Sequence, residues 1–529
     1  MQIALIFVLL LTFVLGLGLL ARRLDIPYPI LFVIGGLVIS FIPIMPNQLE
    51  LEPDLVFFLV LPPLLYIQAF YTSWRDFYFH LRSILLLAIG LVTAITVTVA
   101  YVAHWLIPDF PLAAGFVLGA IISPPDAVAA SAIAKRLGLP RRAITILEGE
   151  SLVNDATSLV IFKVALAAVG AATSFVGHIW IPGEFIYVAV GGVAVGLVVG
   201  RGIAWLRRRI LDDGVQISST VSLLTPYISY LLADQFLHVS GVLAVVATGL
   251  YLGWEAPETL SSSIRLQARA FWEVIIYLLN GIVFVLIGLQ LPGILHGMRG
   301  SLWPGPVIYA LVINAVCIVL RMAWVFAGAY LPHLLSKHVR KHEEKPDWQQ
   351  VVVVGWSGMR GIVSLAAALA LQGYPNFPRP HLVQFLAFSV ILTSLVFQGL
   401  TLPVLIRYLG VGDDGIPARE ELEARNVISS AVFEKLTEVR SDEKFPGSAL
   451  DTVENFYRER SLVLQDELAE ELGWSTQRNH VLSVRRLNRM MIAVQRRALL
   501  AMRRSGRIGD DVMHKIEHEL DLEEVRLNE

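Results

Sequence analysis

The chain has 529 residues, of which 55% are hydrophobic and only 16% charged. Soluble globular domains carry ~25% charged residues, so most of this chain belongs in lipid. A net charge of -2 argues against a nucleic-acid partner, and the single cysteine, Cys317, excludes an intrachain disulfide and argues against redox chemistry.

Charge divides the chain. Residues 413–529 hold 24 of the 44 acidic and 18 of the 42 basic side chains, which leaves 20 acids and 24 bases for the first 412. The reading is a membrane domain over residues 1–410 and a soluble tail over 411–529. The N-terminus runs apolar to Leu20 with no basic residue before that stretch and no small-residue cleavage site after it, which predicts a retained membrane helix rather than a signal peptide.

A bilayer core takes ~20 apolar residues per helix. On that basis thirteen spans are predicted, near 3–20, 29–44, 54–70, 84–107, 112–134, 143–169, 185–206, 217–236, 239–253, 271–291, 306–331, 351–371 and 382–409. If the N-terminus lies outside, the inner loops hold seventeen basic residues, from Arg22 and Arg23 to Lys341 and Lys345, and the outer loops hold Arg299 and Arg379. That asymmetry predicts an outside N-terminus and a cytoplasmic tail.

Ionisable groups inside spans cost roughly 2.5–3.5 kcal/mol each at a helix centre, so each needs a reason. They are Asp126, Glu150, Asp155, Lys163, Asp234, Glu273, Arg321 and Arg360. In the fifth span, Ser123-Pro124-Pro125-Asp126 reads as a cap signature, with Ser123 at the cap and proline at the first helical position. It predicts a helix that breaks in mid-membrane and restarts, with Asp126 at the positive end of the second half. Freed carbonyls near Pro125 and the Asp126 carboxylate would then line a cation path, although capping alone is the plainer alternative.

The sixth span carries Glu150-Ser151-Leu152-Val153-Asn154-Asp155. Asp155 falls ~18 Å along its helix, and Ser151, four residues earlier, shares its face. A carboxylate, a hydroxyl and an amide oxygen make a hard-oxygen set suited to Na+, Li+ or K+ and not to transition metals. The plainer alternative is a polar network between helices. In the twelfth span Gly355, Gly358 and Gly361 fall within seven residues and predict a second broken or closely packed helix. It lies seven spans after the first and therefore runs in the opposite direction, the pointer to an inverted-repeat transporter. Arg360 needs a counter-charge there, and Glu150 is the candidate assigned to it.

The run Gly149-Glu150-Ser151-Leu152-Val153-Asn154-Asp155-Ala156 resembles the signature helix of the Na+/H+ exchanger branch of the monovalent cation/proton antiporters. Ser123-Pro124-Pro125-Asp126-Ala127-Val128-Ala129 resembles a second element of that family. Leu61-Pro62-Pro63-Leu64-Leu65, Gly288-Leu289-Gln290-Leu291 and Gly358-Met359-Arg360-Gly361 match its third, tenth and twelfth helices, so the likeness spans roughly residues 1–410. It implies an all-α polytopic protein of about thirteen helices with inverted repeats, two broken helices and a helical cytoplasmic tail domain, and a homodimer in the inner (plasma) membrane. It also implies a cation held by Asp155, Ser151, the carbonyl before Asp126 (Pro125) and water, ordered by Asn154 and Asp126, with Glu150 and Arg360 as an ion pair. The transported Na+ and H+ would be substrates, with no cofactor. Two departures stand out: Pro125 and Ala127 replace the family's usual threonine and proline, and Ile67, beside Gln68, stands where members often carry an acid.

Two other classes fit the sequence less well. Gly355-Trp356-Ser357-Gly358 and Gly410-Val411-Gly412-Asp413 match short intramembrane-protease patterns, but the histidines of the membrane region fall in loops or at span ends, and a nucleophilic serine needs a base within reach. A cation channel would need a filter or a charged ring, and no such repeat is visible. In the tail, helices are predicted over 418–439, 448–472, 477–505 and 508–526. Val484, Leu487, Met491, Val494, Ala498 and Ala501 stand at seam spacing in the third of these.

Overall fold

The computed structural model describes residues 2–24, 26–41, 56–170, 181–209, 214–298, 304–335, 337, 346–374, 376–412, 416–441 and 446–458, with scattered positions between 491 and 522. The described residues are almost entirely helical and contain no strand. This is what a lipid solvent demands, because a helix satisfies its own backbone where no water can.

In chain order the membrane unit runs α1 Gln2–Leu24, α2 Tyr28–Ser40, α3 Val56–Tyr71, the short α4 Trp74–Phe79, α5 Leu81–Leu106, α6 Leu112–Ile122, α7 Ala127–Arg136 and α8 Arg141–Gly170. It continues with α9 Ile181–Arg209, α10 Val215–Leu231, α11 Gly241–Thr259, α12 Ser262–Leu289, the short α13 Leu291–Gly297, α14 Gly305–Leu335, α15 Trp348–Trp356, α16 Ile362–Ala370 and α17 Pro380–Leu409. Among the described residues, six helices are long and apolar enough to cross a membrane unaided, in α5, α8, α9, α12 with α13, α14 and α17. Of the shorter ones, α6 with α7 and α15 with α16 form the two interrupted passages that the sequence predicts.

The helices sort into two bundles. One gathers α1–α3 and α9–α12; the other gathers α5–α8 and α14–α17. Within each, small residues bring backbones close, as helix association in lipid favours. A Cβ at Gly115 or Gly119 of α6 would meet the Ala100 or Thr96 carbonyl of α5. The α10–α11 turn is tight: His238 takes a left-handed conformation, and the Val239 N–H closes onto the Ala233 carbonyl at 2.9 Å.

Chain contacts divide the protein into compact units Met1–Gly412 and Asp413–Glu529. In the second, α18 Ile416–Ser441 is followed by a helix through 447–458, and Arg440 pairs with Asp451 and Glu454. The helices expected at 477–505 and 508–526 lie largely outside the described residues.

Candidate functional site

The two interruptions lie against each other and share hydrogen bonds. The Asp126 N–H donates to the Met359 carbonyl at 2.6 Å. Arg360 Nε donates to the Ile122 carbonyl at 3.2 Å, and its Nη1 donates to the Gly358 carbonyl. The backbone N–H of Arg360 donates to Ser394 Oγ of α17 at 3.0 Å.

The arrangement follows from helix dipoles. Where α6 and α15 end, free carbonyls leave partial negative charge, and where α7 and α16 begin, free N–H groups leave partial positive charge. Arg360 sits against the first pair of ends. Asp126 sits at the second: its Oδ1 accepts from the Val128 N–H at 2.8 Å, and its Oδ2 lies so close to Gly361 that a Cβ there would overlap it. One cation and one anion thus complement four half-helix ends.

Two expectations need correction. Asp126, not Ser123, is the N-cap of the restarted helix. Ser123 closes α6 instead, with its Oγ donating to the Ala120 carbonyl at 3.1 Å. Two successive prolines lack N–H groups and stretch the break, so the first acceptor able to cap a free N–H is the Asp126 carboxylate. The second correction concerns the ion pair. Glu150 is bound by Arg321 of α14, not by Arg360: Nη1 and Nη2 reach its two carboxylate oxygens at 2.6 and 3.0 Å, and both side chains are 1% exposed. The fork of Arg321 meets both oxygens at once, whereas Arg360 gives its Nε and Nη1 to helix-end carbonyls.

Asp155 is in a different position. It lies on α8, its side chain is 8% exposed, and its carboxylate takes no hydrogen bond from the described residues. It opens onto a cavity of about 40 Å³ between the two bundles, also lined by Asp126, Ser151, Pro124, Gln68, Asn280 and Ser364. That volume holds a few water-sized occupants. Asn154, the neighbour of Asp155, turns away: its Nδ2 donates to the Pro125 carbonyl at 2.7 Å, so it braces the α6–α7 break. Among the sequence-predicted set, Asp155, Asp126 and Ser151 therefore converge on one cavity, while Asn154 and Pro125 stand behind it. Asn280 and Ser364 were missed. Each is at most 2% exposed and has a polar atom without a hydrogen-bond partner; a polar residue in the middle of an apolar helix, as Asn280 is in α12, was the available signal.

Ser357, the serine of the protease-like pattern, is buried at the end of α15 with its Oγ donating to the Val353 carbonyl at 2.6 Å. The other ions flagged inside spans are paired: Lys163 with Asp234 at 3.3 Å, and Arg269 with Glu273 at 3.1 Å.

The model of the transmembrane sodium/hydrogen exchanger family matches residues 8–408. The chain belongs to that family. Relatives of this exchanger include an uncharacterized Na+/H+ exchanger of Mycobacterium bovis, 36% identical across 96% of this chain and 93% of its own length. A sodium, potassium, lithium and rubidium/H+ antiporter of Bacillus subtilis is 35% identical across 77% of this chain and 62% of its own length. The fold is that of the sodium proton antiporter MjNhaP1 from Methanocaldococcus jannaschii, with a TM-score of 0.61 over 77% of this chain and 99% of that one, at 20% identity. This exchanger is an integral multi-pass membrane protein of a transporter family.

Proposed function

We propose that this exchanger moves one monovalent cation, Na+ by preference and Li+ or K+ as alternatives, against one proton by alternating access. Asp155 is the carrier of both. The observation behind this reading is a buried carboxylate with no cation beside it among the described residues, facing a small polar cavity where two broken helices cross. Such a group must be neutralised by something mobile, because an uncompensated charge costs several kcal/mol at that depth. A proton and a dehydrated cation are the two candidates, and one carboxylate cannot hold both. Ser151 and water complete the oxygen set for the cation. Asp126, held at two helix starts, shapes the field, while Asn154 fixes the Pro125 carbonyl and the break around it.

The two bundles supply the moving parts, one carrying Asp155 and the other closing the cavity with Gln68 and Asn280. The chain crosses the plasma membrane thirteen times with its N-terminus outside, works as a homodimer, and ends in a cytoplasmic helical domain over 411–529. Its service is cation and pH homeostasis. Because Asn154 is neutral, only Asp155 changes its load in the cycle, so the loaded site has the same charge with Na+ as with H+. Proteoliposomes held at a K+/valinomycin potential of either sign test this. Na+-driven pH change at rates indifferent to the potential is expected; rates that follow its sign overturn the one-for-one assignment.

A further inference from the structure

A larger cavity, of about 780 Å³, lies away from the transport site in the first bundle, where α3, α9 and α11 end and α10 and α12 begin. Among the described residues four arginines line it, Arg75, Arg207, Arg265 and Arg269, and no acidic residue does. Arg207 is the unusual member. It is 6% exposed, and its Nε and Nη1 have no hydrogen-bond partner among the described residues. A buried guanidinium left that way is among the costliest groups a membrane protein can carry, which calls for a counter-charge.

Among the described residues two nearby acids are already engaged, and Glu258, exposed at the end of α11, does not line the cavity. Glu255 accepts from Arg208, the next residue on α9, and from the Tyr251 hydroxyl, and Glu273 pairs with Arg269 one turn along α12. Arg265 Nη1 donates to the Leu260 carbonyl, which keeps that side chain at the rim. The hydroxyls of Ser218 and Ser222 add further polar atoms, and Trp254 and Trp272 give the cavity an apolar wall. Guanidinium forks match the oxygens of a phosphate group two at a time, and several of them suit a phosphate better than a singly charged carboxylate.

We propose that this cavity is an anion site for a phosphate group, with Arg207 as its buried anchor and Arg75, Arg265 and Arg269 as its rim. The group is either a soluble phosphate or the headgroup of an anionic phospholipid, whose chains the apolar wall would accept. Occupancy ties the end of α9 to the start of α12 and so stiffens the bundle that closes the transport cavity.

The full-length protein in uncharged detergent is titrated with inorganic phosphate, with dioleoyl-phosphatidylglycerol micelles and with dioleoyl-phosphatidylcholine micelles, and its thermal unfolding midpoint is followed. A saturable rise with phosphate or phosphatidylglycerol, larger than with phosphatidylcholine, is expected. Response to phosphatidylglycerol alone identifies a lipid headgroup, and response to phosphate with displacement of the lipid identifies a soluble ligand. Arg207→Met weakens the response by about tenfold or more, the scale of one lost charged hydrogen-bond pair, and Arg265→Gln with Arg269→Gln weakens it as well. Arg209→Gln, on the same helix but outside the cavity, leaves it unchanged. Without ligand, Arg207→Met unfolds no earlier than the wild type. The proposal is overturned by a midpoint that no anionic probe raises, by equal response to phosphatidylcholine, by wild-type binding in Arg207→Met, or by a ligand-free Arg207→Met that is grossly unstable.

Discussion

Two buried carboxylates with opposite fates stand five positions apart on one helix. Glu150 is closed: Arg321 takes both of its oxygens, and neither partner meets solvent. Asp155 is open, with no cation beside it among the described residues and a cavity in front of it. Residues five apart on a helix point ~140° away from each other, so one helix can present one acid to a neighbouring helix and the other to a pathway. A fixed counter-charge makes an acid structural, and the lack of one makes it exchangeable. The same contrast holds at the crossing of the breaks, where Arg360 is bound to helix-end carbonyls and contributes architecture.

The sharpest way to break the comparison is at the open acid. Asp155→Asn keeps the size and removes the charge, so exchange measured by dequenching in everted vesicles falls to background while yield and unfolding midpoint stay near wild type. Robust exchange by that variant would return Asp155 to the structural class. The closed acid gives the opposite pattern. Glu150→Gln or Arg321→Gln leaves a buried charge alone and costs about 3–5 kcal/mol, and the two together recover part of the loss. Glu150→Gln combined with Arg360→Gln recovers less than the Glu150–Arg321 pair does, because Arg360 hydrogen-bonds helix-end carbonyls and not Glu150. Both patterns are read from thermal unfolding in detergent.

A smaller effect is expected at the crossing itself. Gly361→Ala places a methyl against Asp126 Oδ2, an overpacking that costs about 1–3 kcal/mol and displaces the N-cap carboxylate. Exchange slows without being abolished. The smallest effect belongs to Lys163, whose side chain is 73% exposed beside Asp234. Lys163→Met changes stability by no more than about 1 kcal/mol, the range of exposed pairs, and unfolding curves check it.

The open site was more legible than the closed one. Proline pairs and clustered glycines announce broken helices by removing donors and admitting close backbones, and Ser123–Asp126 and Gly355–Gly361 did so at the observed places. The face shared by Ser151 and Asp155 needed only helical periodicity. The partner of Glu150 needed depth. Arg321 lies fifteen residues into a predicted span entered from one face, ~22 Å along, and Glu150 lies seven residues into one entered from the opposite face, ~10 Å along, which sets the two level in a ~30 Å core. Proximity of Arg360 to the glycine break concealed that match. Asn280 is flagged in the sequence only as a lone amide in an apolar helix, and its place at the cavity depends on how two bundles meet. The choice of Asp126 over Ser123 as cap turns on which residue first faces a free N–H, a question of backbone path.

The central claim is that proton and cation compete for Asp155, and the dependence of cation affinity on pH tests it most directly. In proteoliposomes containing the full-length protein, apparent KM for Na+ is measured from the alkaline range downward. Competition at one carboxylate predicts a flat KM at high pH and, once the group protonates, a rise of about tenfold for each unit of pH, with maximal rate at saturating Na+ far less affected. A KM constant across the range, with pH acting only on the maximal rate, would contradict the account, because the proton would then bind somewhere other than the cation site.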